Sequence, residues 1–188
     1  CNICFKDAVF DNSQINSLLS KVILSLKTLG LQINSKALTI RGVNRSELKK
    51  AAGNRYDKNM HGFCKSSTRN EYINDRLAKS VSSYTIYVLN GVPRLNLESV
   101  IAHELMHVWM NSNTKDNHSD ELREGSCNFV SYLYLKSLRT PEARQIIKML
   151  ESDDDDVYGR GFQKVKSEFE DRGLTHLMKY LKGSNYSL

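Results

Sequence analysis

The sequence is short of three features: long apolar runs, a leader segment and cysteine. No apolar run reaches the roughly 20 residues that span a bilayer, and the N-terminus lacks the basic, apolar and small-residue order of a signal peptide. The four cysteines, Cys1, Cys4, Cys64 and Cys127, are too few for a disulfide scaffold in 188 residues. We therefore expect a cytoplasmic protein with no membrane partner. Because the chain opens at Cys1 rather than Met, we also expect that a leader or a further domain can precede it.

The charged residues are not arranged for nucleic-acid binding. The net charge of +6 is spread along the chain, and no cluster of lysine and arginine is interleaved with stacking aromatic residues. The sequence also has no internal repeats and no long linkers, and its length fits one domain that can bury a core. A content of 40% hydrophobic and 26% charged residues is typical of a folded globular protein.

Hydrophobic spacing predicts a helix-rich α+β fold, with a small sheet that precedes a central helix. Helices are predicted over 11–30, after a capping pattern at 44–47, over 97–110 and 119–138, from 140 onward, and over 160–171 and 174–182. Strands are predicted over 37–41 and 82–90, and loops over 53–70, 111–118 and the acidic segment 152–156. The domain at 11–188 thus divides into an N-terminal helix 11–30, a sheet region 37–90, central helices 97–138 and C-terminal helices 140–182.

Capping residues indicate where several of these helices begin. Asn12 or Ser13 is the expected N-cap of the first helix. Asn44 followed three residues later by Glu47 is a capping-box pattern. Asn96 is the expected N-cap of the central helix, which carries the chemically informative motif.

That motif is His103-Glu104-Leu105-Met106-His107. Histidines four residues apart project from the same helical face, so both imidazoles can bind one Zn²⁺ at about 2.0–2.1 Å. Glu104 lies beside the metal and not under it, where it can take a proton from water and hand it to a leaving amine. The pattern predicts a zinc metallopeptidase with Glu104 as general base. The alternative is two surface histidines and a glutamate on an amphipathic helix.

A catalytic zinc site needs a third protein ligand and one open position. Met110 and Asn113 stand where one continuation of the motif would need glycine and histidine, so the third ligand is expected on the next helix. Glu121 and Glu124 are both candidates there, and Asp116, His118 and Asp120 are weaker candidates near its start. We favour Glu124, because Asn128 lies four residues later on the same face and can hydrogen-bond a metal ligand.

Four peptides carry a resemblance to a known family: GVPRL (91–95), IAHELMHVWM (101–110), EGSCN (124–128) and ESDDDDVYGRGF (151–162). They resemble the C-terminal peptidase domain of plant LIM-domain proteins that limit organ size, the ubiquitin-activated "DA-one" family. The resemblance runs in order from Cys1 to about Leu181. It implies a gluzincin-like zinc peptidase that cleaves protein substrates, with His103 and His107 as metal ligands and Glu104 as the catalytic base.

The resemblance also bears on Glu124 and on the N-terminus. The plant proteins carry two adjacent glutamates before the glycine, whereas this chain has Arg123 and then Glu124. The hypothesis of a glutamate as third metal ligand therefore depends on Glu124. Cys1 and Cys4 resemble the last cysteine pair of a LIM zinc module, whose other ligands would lie upstream. Residues 1–10 are therefore interpreted as the remnant of such a module. The ubiquitin-interacting segments of the plant proteins are absent from the sequence, so ubiquitin activation is not carried over.

Two further roles are predicted. The strand at 84–90 is expected to pair with an extended substrate at a sheet edge, the alternative being an interior strand. Tyr158, in the glycine-flanked turn 157–159, is the expected donor to the oxyanion of the transition state, with His176 as the alternative. A different class of function stays open, in which a catalytically degenerate relative binds protein through the old cleft without cutting it.

Overall fold

The computed structural model describes residues 5–73, 76–115 and 118–183, and it confirms an α+β fold rich in helix. Its strands are β1 (Ala8–Val9), β2 (Leu38–Val43), β3 (Gly62–Ile73), β4 (Arg76–Leu89) and β5 (Val92–Pro93). Its α-helices are α1 (Asn12–Thr28), α2 (Arg45–Ala52), α3 (Arg94–Asn113), α4 (Asp120–Leu138), α5 (Pro141–Glu151), α6 (Tyr158–Phe169) and α7 (Leu174–Leu181). Two short 3₁₀ turns lie at Ser35–Ala37 and Gly53–Arg55. No described helix is both long and apolar enough to cross a membrane.

The main sheet has the strand order β2-β4-β3. β4 pairs with β2 in parallel over 84–89 and with β3 in an antiparallel ladder, so Ile86 lies between Ile40 and Cys64. The expectation that the strand at 84–90 pairs with substrate is therefore wrong, because both of its edges are occupied. β1 and β5 form a separate two-stranded pair, in which Ala8–Val9 lie against Val92–Pro93.

The loop predicted at 53–70 is also wrong, because β3 begins at Gly62. Only the first three residues of β3 are buried, and the following side chains are exposed on both faces. A strand that is polar on both faces lacks the alternation of apolar and polar residues that identifies a strand in a sequence. β4 begins at Arg76, before the predicted strand at 82–90. Its residues before 84 pair with the exposed part of β3 and not with β2, so they too lack a regular hydrophobic pattern.

Four of the seven described helices begin at a side-chain cap, and two helix starts differ from prediction. The N-cap of α1 is Asp11, whose carboxylate accepts from the Ser13 N–H at 2.8 Å, so the assignment to Asn12 or Ser13 is wrong by one residue or two. Asn44 and Glu47 form the predicted capping box, with hydrogen bonds of 2.8 and 3.0 Å. The predicted cap at Asn96 is wrong, because the extended backbone of Pro93 ends the β5 segment and α3 begins at the next residue.

The later helices are close to prediction. α3 continues through Asn113, so the loop expected from 111 is shorter than predicted. Ser119 caps α4, and Thr140 caps α5 with proline at its first position. Tyr158 is the first residue of α6 and does not lie in a turn, which corrects the expectation for this segment.

A buried carboxylate fixes α3 against its neighbours. Glu98 is only 1% exposed, and it accepts hydrogen bonds from Lys21 Nζ of α1 and from Tyr134 Oη of α4, both at 2.6 Å. A buried carboxylate with two such partners is costly to displace, because loss of Lys21 would leave its charge uncompensated and loss of Tyr134 would remove a buried hydrogen bond. The two contacts hold α1, α3 and α4 together at a position five residues before the HExxH segment begins at His103.

Candidate metal centre

The two histidines of α3 and one carboxylate of α4 meet at a common point. The rings of His103 and His107 lie edge to face with centroids 5.0 Å apart. Glu124 Oε2 lies 3.1 Å from His103 Nε2 and 3.4 Å from His107 Nε2. All three side chains are less than 20% exposed. The helical spacing of the histidines and the packing of α4 on α3 produce this arrangement.

These distances fit the donor set of a zinc ion. Ligands bound at about 2.0–2.1 Å in a tetrahedron lie about 3.3–3.4 Å from one another. The separations of 3.1 and 3.4 Å between the carboxylate oxygen and the two imidazole nitrogens are close to that edge length. Two imidazoles and one carboxylate are also a ligand combination that suits a catalytic zinc site.

Asn128 orients His103. Its Oδ1 lies 2.9 Å from His103 Nδ1, and since an amide oxygen can only accept, Nδ1–H is the donor. This leaves Nε2 turned toward Glu124, as a metal ligand requires. The amide nitrogen of Asn128 donates to the backbone carbonyl of Tyr158 at 3.2 Å, so one side chain connects the histidine to the start of α6.

The charges of the site stabilise one another. Burial alone would lower the pKa of His103, but its hydrogen bond to Glu124 and the charge of that carboxylate raise it to about 8. Burial would raise the pKa of Glu124, but hydrogen bonds to the two histidines hold it well below its usual range. The carboxylate is therefore ionised at neutral pH and available to a cation.

Glu104 lies on α3 beside the histidines and is only 5% exposed. Burial raises its pKa, while the nearby histidines and a backbone hydrogen bond from Cys64 of β3 oppose this. Gly62 provides the space for its carboxyl group, because a Cβ at that position would lie 2.7 Å from Glu104 Oε1. A residue with a side chain at the first position of β3 would therefore collide with the Glu104 carboxyl group.

Cys127 is an unpredicted neighbour of the histidines. Its sulfur, one ring nitrogen of His103 and one ring nitrogen of His107 all lie within 4.8 Å of one another. Cys127 is fully buried, and burial together with the charge of Glu124 raises the pKa of its thiol well above the ordinary value. This position makes Cys127 a second candidate for the third ligand.

A cavity of about 530 Å³ opens beside these residues. It is lined by His103, Glu104, His107 and Glu124, and also by Tyr158, which is 38% exposed. Burial raises the pKa of the Tyr158 phenol, and the charges of Glu124 and Glu104 raise it further. The structure thus brings Tyr158 into the cavity of the candidate metal centre.

The cavity includes other residues that were not predicted. His61 precedes β3 and lines the cavity, and burial lowers its pKa. Three acidic residues complete the charged lining: Asp57, Asp153 and Asp155. His61 and Asp57 could be found only by predicting β3, because that strand places them beside the HExxH helix.

The remaining candidate ligands do not line this cavity. Glu121 forms an ion pair with Lys164 of α6 at 2.7 Å. His118 and Asp120 lie outside the cavity lining, and Asp116 is not among the described residues. His176 lies on α7 near the carbonyl oxygen of Arg172 and is also absent from the cavity lining. Cys1 and Cys4 lie outside the described residues.

Two glycines set how closely α4 and α6 approach. A Cβ on Gly125 would lie 2.3 Å from the carbonyl oxygen of Gly161, and a Cβ on Gly161 would lie 2.3 Å from the carbonyl oxygen of Glu121. Only glycine fits at such a backbone-to-backbone contact. Gly125 follows Glu124, and Gly161 lies three residues after Tyr158, so this crossing places the side chains of Glu124 and Tyr158 at the cavity.

The fold and the site define an α+β domain in which an HExxH helix carries a candidate metal centre. A family model described as "DA1-like: Protein DA1" matches residues 27–148, well over half of the chain. The chain therefore belongs to the DA1-like family.

Three individual relatives illustrate the similarity. Protein DA1-related 7 of Arabidopsis thaliana is 30% identical over 128 residues, covering 52% of this chain and 23% of that protein. Protein DA1-related 2 of the same plant is 40% identical over 73 residues, covering 38% and 14%. LIM domain-containing protein HDR3 of Oryza sativa subsp. japonica is 42% identical over 62 residues, covering 33% and 12%. The matches thus cover less than a quarter of each of these three proteins, and no solved structure matches the chain.

Proposed function

We propose that the chain is a zinc-dependent endopeptidase domain that hydrolyses peptide bonds in protein substrates. The observation that carries this proposal is the pair of distances, 3.1 and 3.4 Å, from Glu124 Oε2 to the two histidine Nε2 atoms. His103, His107 and Glu124 would hold one Zn²⁺ and leave a fourth position open to the cavity. A bound zinc ion supplies Lewis acidity, which lowers the pKa of water and polarises the scissile carbonyl.

Glu104 has the position of a general base. It lies next to His103 in the sequence, it lines the cavity, and its carboxyl group has no hydrogen bond to either histidine among the described contacts. Its role is to accept a proton from the attacking water and to deliver it to the leaving amine. Burial keeps the pKa of Glu104 above its ordinary value, which makes it a stronger proton acceptor once it is ionised.

Tyr158 is the proposed donor to the oxyanion that forms during the reaction. A tyrosine phenol is protonated at neutral pH and can donate a hydrogen bond, and burial and the charge of Glu124 raise the pKa of Tyr158 further. The contact between Asn128 and the Tyr158 carbonyl would hold this residue in register with His103.

Cys127 supports one alternative function. If its thiolate joined His103, His107 and Glu124, four protein donors would close the zinc site, and closed sites are structural. The domain would then bind protein in its cavity without cutting it. We favour the open site, because Glu124 Oε2 lies 3.1 and 3.4 Å from the two histidine Nε2 atoms, close to the ligand spacing of a zinc tetrahedron, whereas the Cys127 sulfur is only within 4.8 Å of a ring nitrogen of each histidine.

The expected partners are protein or peptide substrates in the cytoplasm, and not nucleic acid or membrane. The rice relative HDR3 is named as a LIM domain-containing protein. On that likeness, we propose that an upstream LIM-type zinc module would complete the ligand set of Cys1 and Cys4 in a longer protein.

The test is metal-dependent proteolysis of a disordered protein such as β-casein. Purified protein is stripped with a chelator, dialysed and reconstituted with one equivalent of Zn²⁺, and new peptide termini are identified by mass spectrometry. We expect cleavage only by the zinc-loaded protein. Intact casein in the presence of stoichiometrically bound zinc would favour the closed, non-cutting alternative.

A further inference from the structure

The backbone that leads into α6 is fixed by one residue, Asp155. Its side-chain oxygen Oδ1 accepts hydrogen bonds from the N–H groups of Val157 at 2.9 Å and Tyr158 at 2.8 Å. Its carbonyl oxygen accepts from the N–H groups of Gly159 at 3.0 Å and Arg160 at 2.8 Å. The N–H groups at the start of a helix have no partner within the helix, so they need acceptors from elsewhere. Asp155 supplies these acceptors at the start of α6.

The turn that contains Asp155 also packs directly against α6. The N–H group of Asp155 donates to Asp153 Oδ1 at 3.1 Å, which closes the turn. A Cβ on Gly159 would lie 2.2 Å from the carbonyl oxygen of Asp153, so the turn and the first turn of the helix touch through their backbones. Asp153, Asp155 and Tyr158 all line the cavity. The place of Tyr158 at the cavity therefore depends on this turn.

The hydrogen bonds continue from Tyr158 to a proposed metal ligand. The Tyr158 carbonyl accepts from the amide nitrogen of Asn128 at 3.2 Å, and Asn128 Oδ1 lies 2.9 Å from His103 Nδ1. An amide nitrogen can only donate and an amide oxygen can only accept, so the Tyr158 carbonyl selects the orientation in which Oδ1 faces the histidine. A turned amide would present its N–H₂ group to Nδ1 and favour the tautomer with its proton on Nε2, which cannot bind metal through that nitrogen.

We propose that Asp155 is a positioning residue of the metal centre that acts through Tyr158. By bonding the Tyr158 N–H, it holds the phenol at the cavity. Through the Tyr158 carbonyl, it keeps Asn128 in the orientation that leaves His103 Nε2 free for metal. The inference rests on the proposed peptidase function, because the phenol is the proposed oxyanion donor. It assigns Asp155 no contact with the metal or with the reacting atoms.

Two substitutions at Asp155 separate hydrogen bonding from charge. Asp155→Asn removes the charge and keeps a side-chain oxygen at the same position. Asp155→Glu keeps the charge and moves the oxygens outward by a methylene group, away from the two N–H groups. If hydrogen-bond geometry is the cause, Asp155→Glu resembles Asp155→Ala, and Asp155→Asn resembles the parent. Asp11→Ala is the matched control, because Asp11 caps α1 through the Ser13 N–H at 2.8 Å and is not in the cavity lining.

Zinc affinity is the readout that needs no catalysis. It is measured for the full chain by competition with a chromophoric chelator, and urea unfolding reports the stability of each variant. We expect about tenfold weaker zinc binding in Asp155→Ala and Asp155→Glu, which is the scale for a group that orients a metal ligand. Asp155→Asn should bind zinc within about threefold of the parent. Asp11→Ala should do the same, although it loses a helix cap and the stability that the cap contributes.

Kinetics test the link to Tyr158. They are measured at saturating zinc on a casein peptide that contains the mapped cleavage site. We expect kcat to fall about tenfold in Asp155→Ala, with KM nearly unchanged, because the displaced phenol is needed chiefly in the transition state. In a Tyr158→Phe background the same substitution should lower kcat no further, because the hydroxyl group through which Asp155 acts is already absent.

The outcomes separate this inference from the proposed function. Equal losses in Asp155→Asn and Asp155→Ala would assign the effect to charge and overturn the positioning role. The role would also be overturned by equal losses in Asp11→Ala, by parent-like zinc affinity in Asp155→Ala and Asp155→Glu, or by a full further loss of kcat in the Tyr158→Phe background. Absence of turnover by the zinc-loaded parent would instead count against the peptidase function, while the zinc affinities would still decide whether Asp155 positions His103.

Discussion

Glu124 and Cys127 stand three residues apart on α4, and each offers a donor atom to the histidine pair. The proposed site predicts that Glu124→Gln lowers zinc affinity by about two orders of magnitude or more, because a neutral amide is a poor zinc ligand. Cys127→Ser should leave the affinity within about threefold, since the thiol is not a ligand in the open site. Competition with a chromophoric chelator measures both, and Glu121→Gln is the matched control, because its carboxylate pairs with Lys164.

If Cys127→Ser lowered zinc affinity strongly and Glu124→Gln did not, the third ligand would be Cys127. Cobalt substitution gives an independent reading, because a thiolate ligand produces an intense charge-transfer band that carboxylate and imidazole ligands do not. We expect no such band in the cobalt-loaded parent protein.

Tyr158 is also tested at the scale of one residue. Tyr158→Phe removes a hydroxyl group and little volume, and a hydrogen bond made chiefly in the transition state affects kcat more than KM. We expect kcat to fall about tenfold or more, with KM and zinc content nearly unchanged. The measurement is steady-state kinetics of the parent and Tyr158→Phe proteins on a casein peptide that contains the mapped cleavage site. Parent-like kcat in this variant would pass the role to another residue, and His61 is the next titratable group in the cavity.

The sequence identifies the residues of the site that share a helical face. His103 and His107 follow from a four-residue spacing on one helix, and the same spacing relates Glu124 to Asn128. Cys127 and His61 were not assigned to the site. Their proximity depends on how α4 packs on α3 and on where β3 begins, and no local pattern encodes either.

At the scale of elements, the crossing of α4 and α6 positions the site. Gly125→Ala should improve the intrinsic helix propensity by about 0.5–1 kcal/mol, but its Cβ would lie 2.3 Å from the Gly161 carbonyl oxygen. Overpacking against backbone costs about 1–3 kcal/mol. We therefore expect net destabilisation in urea unfolding, together with weaker zinc binding because Glu124 is displaced. An increase in stability would contradict the tight crossing.

Elements were predictable where their signals are local. The capping box at Asn44 and the start of a helix at 140 are predicted correctly, because a capping side chain that bonds three residues along needs no tertiary contact. β3 was missed, because its polar outer residues are exposed on both faces and carry no hydrophobic period. Strand order was not predictable either, and the central position of β4 is what excluded it as the substrate strand.

At the scale of the whole molecule, charge is distributed unevenly. The chain has a net charge of +6, yet the carboxylates of Asp57, Asp153 and Asp155 join those of Glu104 and Glu124 in the cavity lining. No lysine or arginine is among the described residues of that lining. Such a cavity attracts cations in spite of the basic surface, which favours metal binding.

The family match and the structure support different parts of the account. Residues 27–148 include His103, Glu104, His107 and Glu124, so the proposed ligands and base lie within the matched segment. Tyr158 lies beyond it and depends on the cavity geometry alone. Family membership therefore bears on the metal site more strongly than on the proposed oxyanion donor.

The most direct measurement compares the zinc-loaded parent with zinc-loaded Glu104→Gln on β-casein, with the metal content of both proteins determined by elemental analysis. The substitution is nearly isosteric and Glu104 lies outside the proposed ligand set, so we expect about one zinc per chain in both proteins. The cleavage rate should fall by about 10² or more in the variant, which is the scale of general-base catalysis. Equal rates in the two proteins, or a parent that binds its zinc and leaves casein intact, would contradict the account.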